Sequence, residues 1–527
     1  MMAQRVNLDA MIPREDFEVS DEEAFELGLL ADFPITSLTS ESPVLRLLRK
    51  PDFQRETNHW APEQVAVFIA SFLDNEVIPS LILWKSPTYI FVIDGGHRLS
   101  ALRAWIHNDY GDGVISREFY NGEISREQRK VAERTRKLVE AKVGRYASLK
   151  DLVGKKIDGD QLSVRRGNRL FTRSLTLQWI QGNANVAETS FFKINSQGTP
   201  LDDVEEMLIK NRRKPYAIAA RAILRSGTGH EYWSSFAGEN KGKIKDLALE
   251  FHDLLFDPES ESPLRTLEIP LGGSASPVDA LALLIDFLTL ASSSGPESSM
   301  IDQYEDDESG EMTISVMKRS LEILQRITGN SPGSLGLHPM IYFYNERGKY
   351  SRFLFLGMVR LITLRVSNND KGFFKKFVKA RRYVEGFLVG HKNIITLVLQ
   401  NLSRKQRVPK MAELFSHLID IGGTGRDEAD IWQDLEFSRV GESIGLSGRI
   451  LDMGESEEAS RFSDEAKSSI FVRDALPSIP KCAVCQGFLN IRKSVSYDHV
   501  VPIREGGKGG VSNGQLVHPY CNTAVKC

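Results

Sequence analysis

All four cysteines of this chain fall between Cys482 and Cys527, in a stretch that begins at Lys481 and reads KCAVCQGFLNIRKSVSYDHVVPIREGGKGGVSNGQLVHPYCNTAVKC. Cys482-x2-Cys485 is half of a metal knuckle, and His518-x2-Cys521 supplies a second half. Three thiolates and one imidazole form a closed tetrahedral set of the kind that holds structural zinc. Cys527 is a rival fourth ligand, at a poorer spacing. A zinc unit staples a segment too small for its own core, with apparent binding energies of about 10–16 kcal/mol. Thiols concentrated in this way resemble a metal site more than a disulfide scaffold.

Between the two halves lie Asp498-His499 and Asn513, and Asn522 follows Cys521 directly. A neutral imidazole near pH 7 is a suitable general base. Asp498 and Asn522 offer hard oxygen ligands to Mg²⁺. A divalent cation relieves charge on a pentacovalent phosphate and its leaving oxygen. Asn513 is placed to pin the loop so that His499 is aimed. This set fits phosphodiester hydrolysis.

A second constellation lies far upstream. Ile78–Trp84 and Tyr89–Ile93 read as strands joined by a turn, and the second runs into Asp94-Gly95-Gly96-His97-Arg98 before a helix marked by Leu99, Leu102, Trp105 and Ile106. Two glycines let the backbone turn tightly. The helix start aims free N–H groups at the turn, and Arg98 adds a guanidinium fork suited to phosphate. The same residues equally describe a tight strand–helix turn with no ligand. Further on, Phe191–Leu201 (FFKINSQGTPL) places Asn195 and Gly198 in a turn ahead of a helix.

The positioning elements come next. Residues 63–74 and 125–143 have helical spacing, the latter as a solvated, arginine-rich helix. An acidic helix is expected over 21–29, and Arg165–Arg169 reads as a basic loop. From 201 to about 450 the pattern is helical, with segments at 217–225, 244–256, 278–291, 313–327, 352–366, 372–389, 392–402 and 411–419. Residues 291–312 form an acidic loop. In 371–387 the phenylalanines 373, 374, 377 and 387 face a core, which leaves Lys375, Lys376, Arg381 and Arg382 as a stripe able to face phosphate. Residues 453–480 read as a linker.

The chain has 527 residues and a net charge of −3, so any nucleic-acid surface is local rather than global. The N-terminus has no signal-peptide pattern, and no run of apolar residues is long enough to span a bilayer. A cytoplasmic protein without a membrane partner is expected.

With these residues in view, 481–527 resembles an HNH endonuclease, the ββα-metal finger with a structural zinc. The resemblance implies His499 as general base, Asp498 and Asn522 on the catalytic Mg²⁺ or Mn²⁺, Asn513 orienting the loop, and Lys526 near phosphate. His518 stands where the family usually has cysteine, and Asn522 where many members have histidine. Phe53-Gln54-Arg55, Trp60, Asp94–Arg98 and Asn195-x2-Gly198-x-Pro200-Leu201 together resemble the N-terminal domain of the GmrSD-type restriction family, similar to ParB and sulfiredoxin. That implies a nucleoside triphosphate at Asp94, Gly95, Gly96, His97, Arg98, Asn195 and Gly198, with Asp94 and Arg98 central. The chain has no Walker A motif, so any NTPase is not of the P-loop type. A redox or phosphotransfer enzyme on the sulfiredoxin fold is the least favoured reading, because sulfiredoxin chemistry needs a cysteine beside such a turn and none precedes Cys482.

The expected architecture is α+β and multidomain. It comprises a ParB/sulfiredoxin-like α/β domain (1–225), an all-α helical region (226–452), a linker (453–480) and the zinc-bearing HNH module (481–527). The expected function is an NTP-regulated, metal-dependent DNA endonuclease cutting modified or foreign (phage) DNA in bacterial defence. Its expected partners are double-stranded DNA, nucleotide, and further copies of itself or other defence-system subunits. The alternative is a nucleotide-switched DNA-binding protein whose zinc module does not cut.

Overall fold

In strand 90–94, Ile90 and Val92 pack into one buried cluster, while Phe91 and Ile93 pack into another. Side chains along a strand alternate between faces, so this sheet is covered on both sides. The computed structural model describes residues 5–17, 30–54, 56–154, 161–197, 203–275, 277–292, 304–443, 445 and 461–525. The six strands are β1 (Arg14–Glu15), β2 (Asp32–Pro34), β3 (Leu48–Pro51), β4 (Leu81–Lys85), β5 (Ile90–Asp94) and β6 (Ser174–Ile180), in the spatial order β1-β3-β5-β4-β6-β2. β4 and β5 pair antiparallel, as the Ser86-Pro87-Thr88 turn requires, whereas β3–β5 and β4–β6 are parallel. Helices α1 (Pro62–Leu73), α2 (Gly96–His107), α3 (Arg126–Lys142), α4 (Gln161–Arg169) and α5 (Ala184–Gln197) follow in chain order. The chain divides into two compact units, and this sheet belongs to the first, residues 1–212 with 228–234.

The second unit, 213–227 with 235–527, is built mainly of helices and includes the cysteine-rich stretch. Its longer helices are α6 (Pro215–Leu224), α7 (Gly238–Phe256), α8 (Pro277–Ser292), α9 (Glu311–Ile327), α10 (Arg352–Ser367), α11 (Lys371–Asn401), α12 (Arg404–Gly422) and α13 (Asp464–Ala475). Among the described residues, no helix is long and apolar enough to cross a membrane.

Several local expectations are corrected. Arg165–Arg169 belong to helix α4, not a loop, and Arg166 is buried, forked onto Asp74 at 2.9 and 2.6 Å. Asn195 lies in α5 rather than in a turn, because the apolar series Ala184, Ala187, Phe191 continues the helix through it. The two helices expected over 372–402 are one. Its four phenylalanines are buried as expected, but Arg381 is buried with them and leaves the phosphate-facing stripe. Within 453–480, residues 464–475 form α13, capped by Ser463. Gly198, Pro200, Leu201, Lys526, Cys527 and the acidic helix over 21–29 lie outside the described residues.

Candidate functional site

Cys482, Cys485, His518 and Cys521 come together with their ligand atoms all within 4.8 Å of one another, and all four are buried. The knuckle is closed by its own backbone: the Cys482 N–H donates to Gly487 O at 2.8 Å, and the Gln486 N–H to Cys482 O at 2.9 Å. His518 Nε2 lies 3.1 Å from the Phe488 carbonyl, which can only accept. The ring proton therefore sits on Nε2, and Nδ1, 3.3 Å from Cys485 Sγ, turns its lone pair into the cluster. Hydrogen bonds from Cys485 and Cys521 pull the Cys482 thiol down, while the same bond to Cys482 pushes Cys485 up to about 12. Three thiolates cannot coexist here without a cation between them. The soft donor set and the fixed tautomer fit a tetrahedral metal ion.

The second set sits on a hairpin. β7 (Ser496–His499) pairs antiparallel with β8 (Gly514–Val517), with Asp498 opposite Gln515 and His499 opposite Gly514. Ser496 and Asp498 share one strand face, and exposed Tyr497 takes the other. His499 is the last strand residue before the 500–513 loop. Asn513 closes that loop: Oδ1 accepts the Val501 N–H at 2.7 Å, and Nδ2 donates to the carbonyls of Val501 (3.1 Å) and Lys508 (2.9 Å). Gly507 allows the closure, since a Cβ there would lie 1.8 Å from Val501 O. Asn522 is the second residue of the last helical turn (Cys521–Val525), directly after ligand Cys521, and its Nδ2 donates to Ser496 Oγ at 2.7 Å. Asp498 Oδ2 accepts from Gln515 Nε2 at 2.8 Å. Asp498, Asn522, Ser496 and Gln515 are thus linked to one hairpin, and the cysteine cluster fixes the helical turn that meets it. Sequence reasoning passed over Ser496 and Gln515; the two-residue spacing of Ser496 from Asp498 was the available signal.

The hairpin and knuckle are docked on the helices. Arg381, buried in α11, donates to Glu385 Oε1 at 2.7 Å and to the carbonyls of Leu335 and Gly336. Tyr342 donates to the same Glu385 oxygen at 3.0 Å, and Glu385 Oε2 accepts the Phe488 N–H at 2.7 Å. Ser494 donates to Gly329 O, the Tyr520 N–H reaches Ser334 O at 2.9 Å, and Arg492 and Lys493 meet Asp257 at 2.9 and 3.0 Å.

The upstream constellation surrounds a cavity of about 130 Å³ lined by Gln54, Thr57, Trp60, Phe191 and residues 93–98. Gly95 caps α2 with φ +101°, a conformation that favours glycine, and a Cβ there would lie 2.3 Å from Leu81 Cδ2. Trp60 stacks on the His97 ring at 5.6 Å. Arg98 is turned away from a free phosphate fork: its guanidinium bonds Asp94 and the carbonyls of Pro79 and Ser80. The residues the structure brings together are therefore Asp94, Gly95, Gly96, His97 and Arg98, joined by Gln54, Thr57 and Trp60. Asn195 is on the same helix as the lining residue Phe191.

No curated protein and no solved structure matches the chain. Residues 37–213 match the GmrSD restriction endonuclease N-terminal domain. Residues 482–526 match the HNH endonuclease family. The strand–Gly–Gly–helix cavity lies inside the first match, and the Asp498–His499 hairpin with its four-ligand cluster inside the second; the chain joins a region similar to the GmrSD restriction endonuclease N-terminal domain to a C-terminal region similar to HNH endonucleases.

Proposed function

We propose that this chain is a metal-dependent DNA endonuclease whose cutting is regulated by a nucleoside triphosphate at the Gly95–Gly96 turn, and that it acts on modified or foreign, phage-type DNA. The observation that carries the nuclease reading is the grouping of Asp498, His499, Asn513 and Asn522 on one hairpin and helical turn beside the Cys₃His cluster. In this reading the hairpin and last turn form a ββα-metal finger, and Cys482, Cys485, His518 and Cys521 hold a structural zinc. Asp498 and Asn522 hold Mg²⁺ or Mn²⁺, which when bound supplies positive charge to the scissile phosphate and the leaving oxygen. His499 takes the proton from the attacking water. Asn513 fixes the backbone two residues beyond His499 and so limits where the imidazole can go.

The front unit is read as ParB/sulfiredoxin-like. Support comes from the α2 N-terminus, which aims N–H groups and a partial positive charge into the cavity. Gly95 permits close backbone approach, and Trp60 and His97 provide an aromatic wall. Arg98 acts by holding Asp94, and both line the cavity. The setting is cytoplasmic. The test is plasmid nicking in Mg²⁺ by wild type and His499→Ala, together with cleavage of matched modified and unmodified phage DNA with and without each NTP. Loss of cutting with retained zinc is expected; undiminished cutting removes the assigned base. DNA binding without cutting by the wild type favours the switched DNA-binding alternative.

A further inference from the structure

Resting on the nuclease reading above, we propose that Ser496 and Gln515 are positioning residues that set the two oxygen ligands of the catalytic cation. Asp498 and Asn522 come from different elements, a strand and a helical turn. A small divalent cation of the Mg²⁺ type demands near-octahedral geometry, so the two oxygens must be fixed relative to each other. Terminal carboxylate and amide torsions are broad and do not fix themselves. Each is held here by one neighbour on the hairpin.

Gln515 is the register partner of Asp498, and its Nε2 donates to Oδ2 at 2.8 Å. A donor on one carboxylate oxygen sets the plane of the group. Ser496 does the corresponding work for Asn522. Its Oγ receives Nδ2 at 2.7 Å. A serine hydroxyl can accept from an amide nitrogen or donate to an amide oxygen. Only the first arrangement leaves Oδ1 for a cation; with the amide reversed, Nδ2 would face positive charge. Ser496 also lies two residues before Asp498 on the same strand, so it links the face carrying the carboxylate to the turn carrying the amide. The partly buried setting of Ser496, Asp498, Gln515 and Asn522 strengthens each bond relative to open water.

The experiment uses the full chain with its structural metal retained. Mn²⁺ binding is measured by isothermal titration calorimetry and by electron paramagnetic resonance of free Mn²⁺. The chains compared are wild type, Ser496→Ala, Ser496→Thr, Gln515→Met and Asp498→Ala. Plasmid nicking is followed against Mn²⁺ concentration. The expected result is a 10–100-fold weaker Mn²⁺ affinity for Ser496→Ala and Gln515→Met, about the size seen for outer partners of metal ligands. Half-maximal cutting should move to correspondingly higher Mn²⁺, and Ser496→Thr should keep wild-type affinity. Zinc content equal to wild type shows that the module has kept its fold. Unchanged Mn²⁺ affinity in both Ser496→Ala and Gln515→Met, with Asp498→Ala losing it, overturns the positioning role alone. Unchanged affinity in Asp498→Ala overturns the cation site itself, and the inference with it.

Discussion

Glu385 accepts the backbone N–H of Phe488 at 2.7 Å across 103 residues of chain. The Phe488 carbonyl in turn receives His518 Nε2 at 3.1 Å, so one residue connects a helix carboxylate to a ligand of the cysteine cluster. Arg381 neutralises Glu385 in a setting where both side chains are 1% exposed. Breaking a buried pair leaves an uncompensated charge, whereas replacing both partners with apolar groups is far milder. Glu385→Ala should therefore cost about 3–5 kcal/mol in urea denaturation of the full chain. Arg381→Met combined with Glu385→Leu should cost less than Glu385→Ala alone. Equal stability of Glu385→Ala and wild type contradicts a structural role for the pair.

Asn513 separates stability from activity. Its side chain makes three bonds across an exposed loop, and exposed bonds contribute little net stability. Asn513→Ala should lower stability by less than about 2 kcal/mol. Cleavage should fall about 100-fold, because the loop that follows His499 loses its clasp. Thermal melting, zinc content and single-turnover nicking on the same preparation check this. Parallel losses of melting temperature and zinc would make Asn513 a folding residue instead.

Gly95→Ala tests the cavity. The substitution demands φ +101° of an alanine and drives its Cβ to 2.3 Å from Leu81. A loss of about 1–3 kcal/mol is expected for the front unit. Calorimetry with ATP and GTP should show affinity at least about tenfold weaker, since the N–H groups of the helix start move. Nucleotide affinity equal to wild type would place the ligand elsewhere.

Lys392 predicts a pH dependence. It is buried in α11, its ammonium donates to Met340 O, and burial lowers its pKa to about 7 against the pull of Glu346 and Glu385. Unfolded, the same lysine titrates near 10.5. Between these values the unfolded chain carries a proton that the folded chain has shed, so stability rises with pH from about 7 to 10.5. The full cost of burying the ammonium is felt below that window. The rise is at most about 4–5 kcal/mol. Subtracting the curve of Lys392→Met from that of wild type in urea titrations at stepped pH isolates it, and a flat difference contradicts the assignment.

Much of the chemistry was legible because it depends on covalent spacing. Cys482-x2-Cys485 and His518-x2-Cys521 bring four ligands to one point with little dependence on the rest of the chain. The strand–Gly95–Gly96–helix turn was readable for the same local reason. What spacing does not carry is partnership across long sequence separations. Arg381 and Arg166 have the sequence appearance of surface cations, and their burial follows from Glu385 and Asp74. Arg98 looked like a phosphate fork until the Pro79 and Ser80 carbonyls were seen to occupy it. Gln515 acquires its role only through the register of β7 against β8.

The docking of the HNH stretch onto α11 sets where the chain can be divided. A fragment starting at Lys481 keeps its metal ligands, but the Phe488 N–H loses Glu385, the Tyr520 N–H loses Ser334, and Ser494 loses Gly329. The smallest transplantable nuclease is therefore not the short segment that carries the motif. It includes the helices that hold the motif, and chimaeras that exchange specificity should be joined at the edge of that larger block.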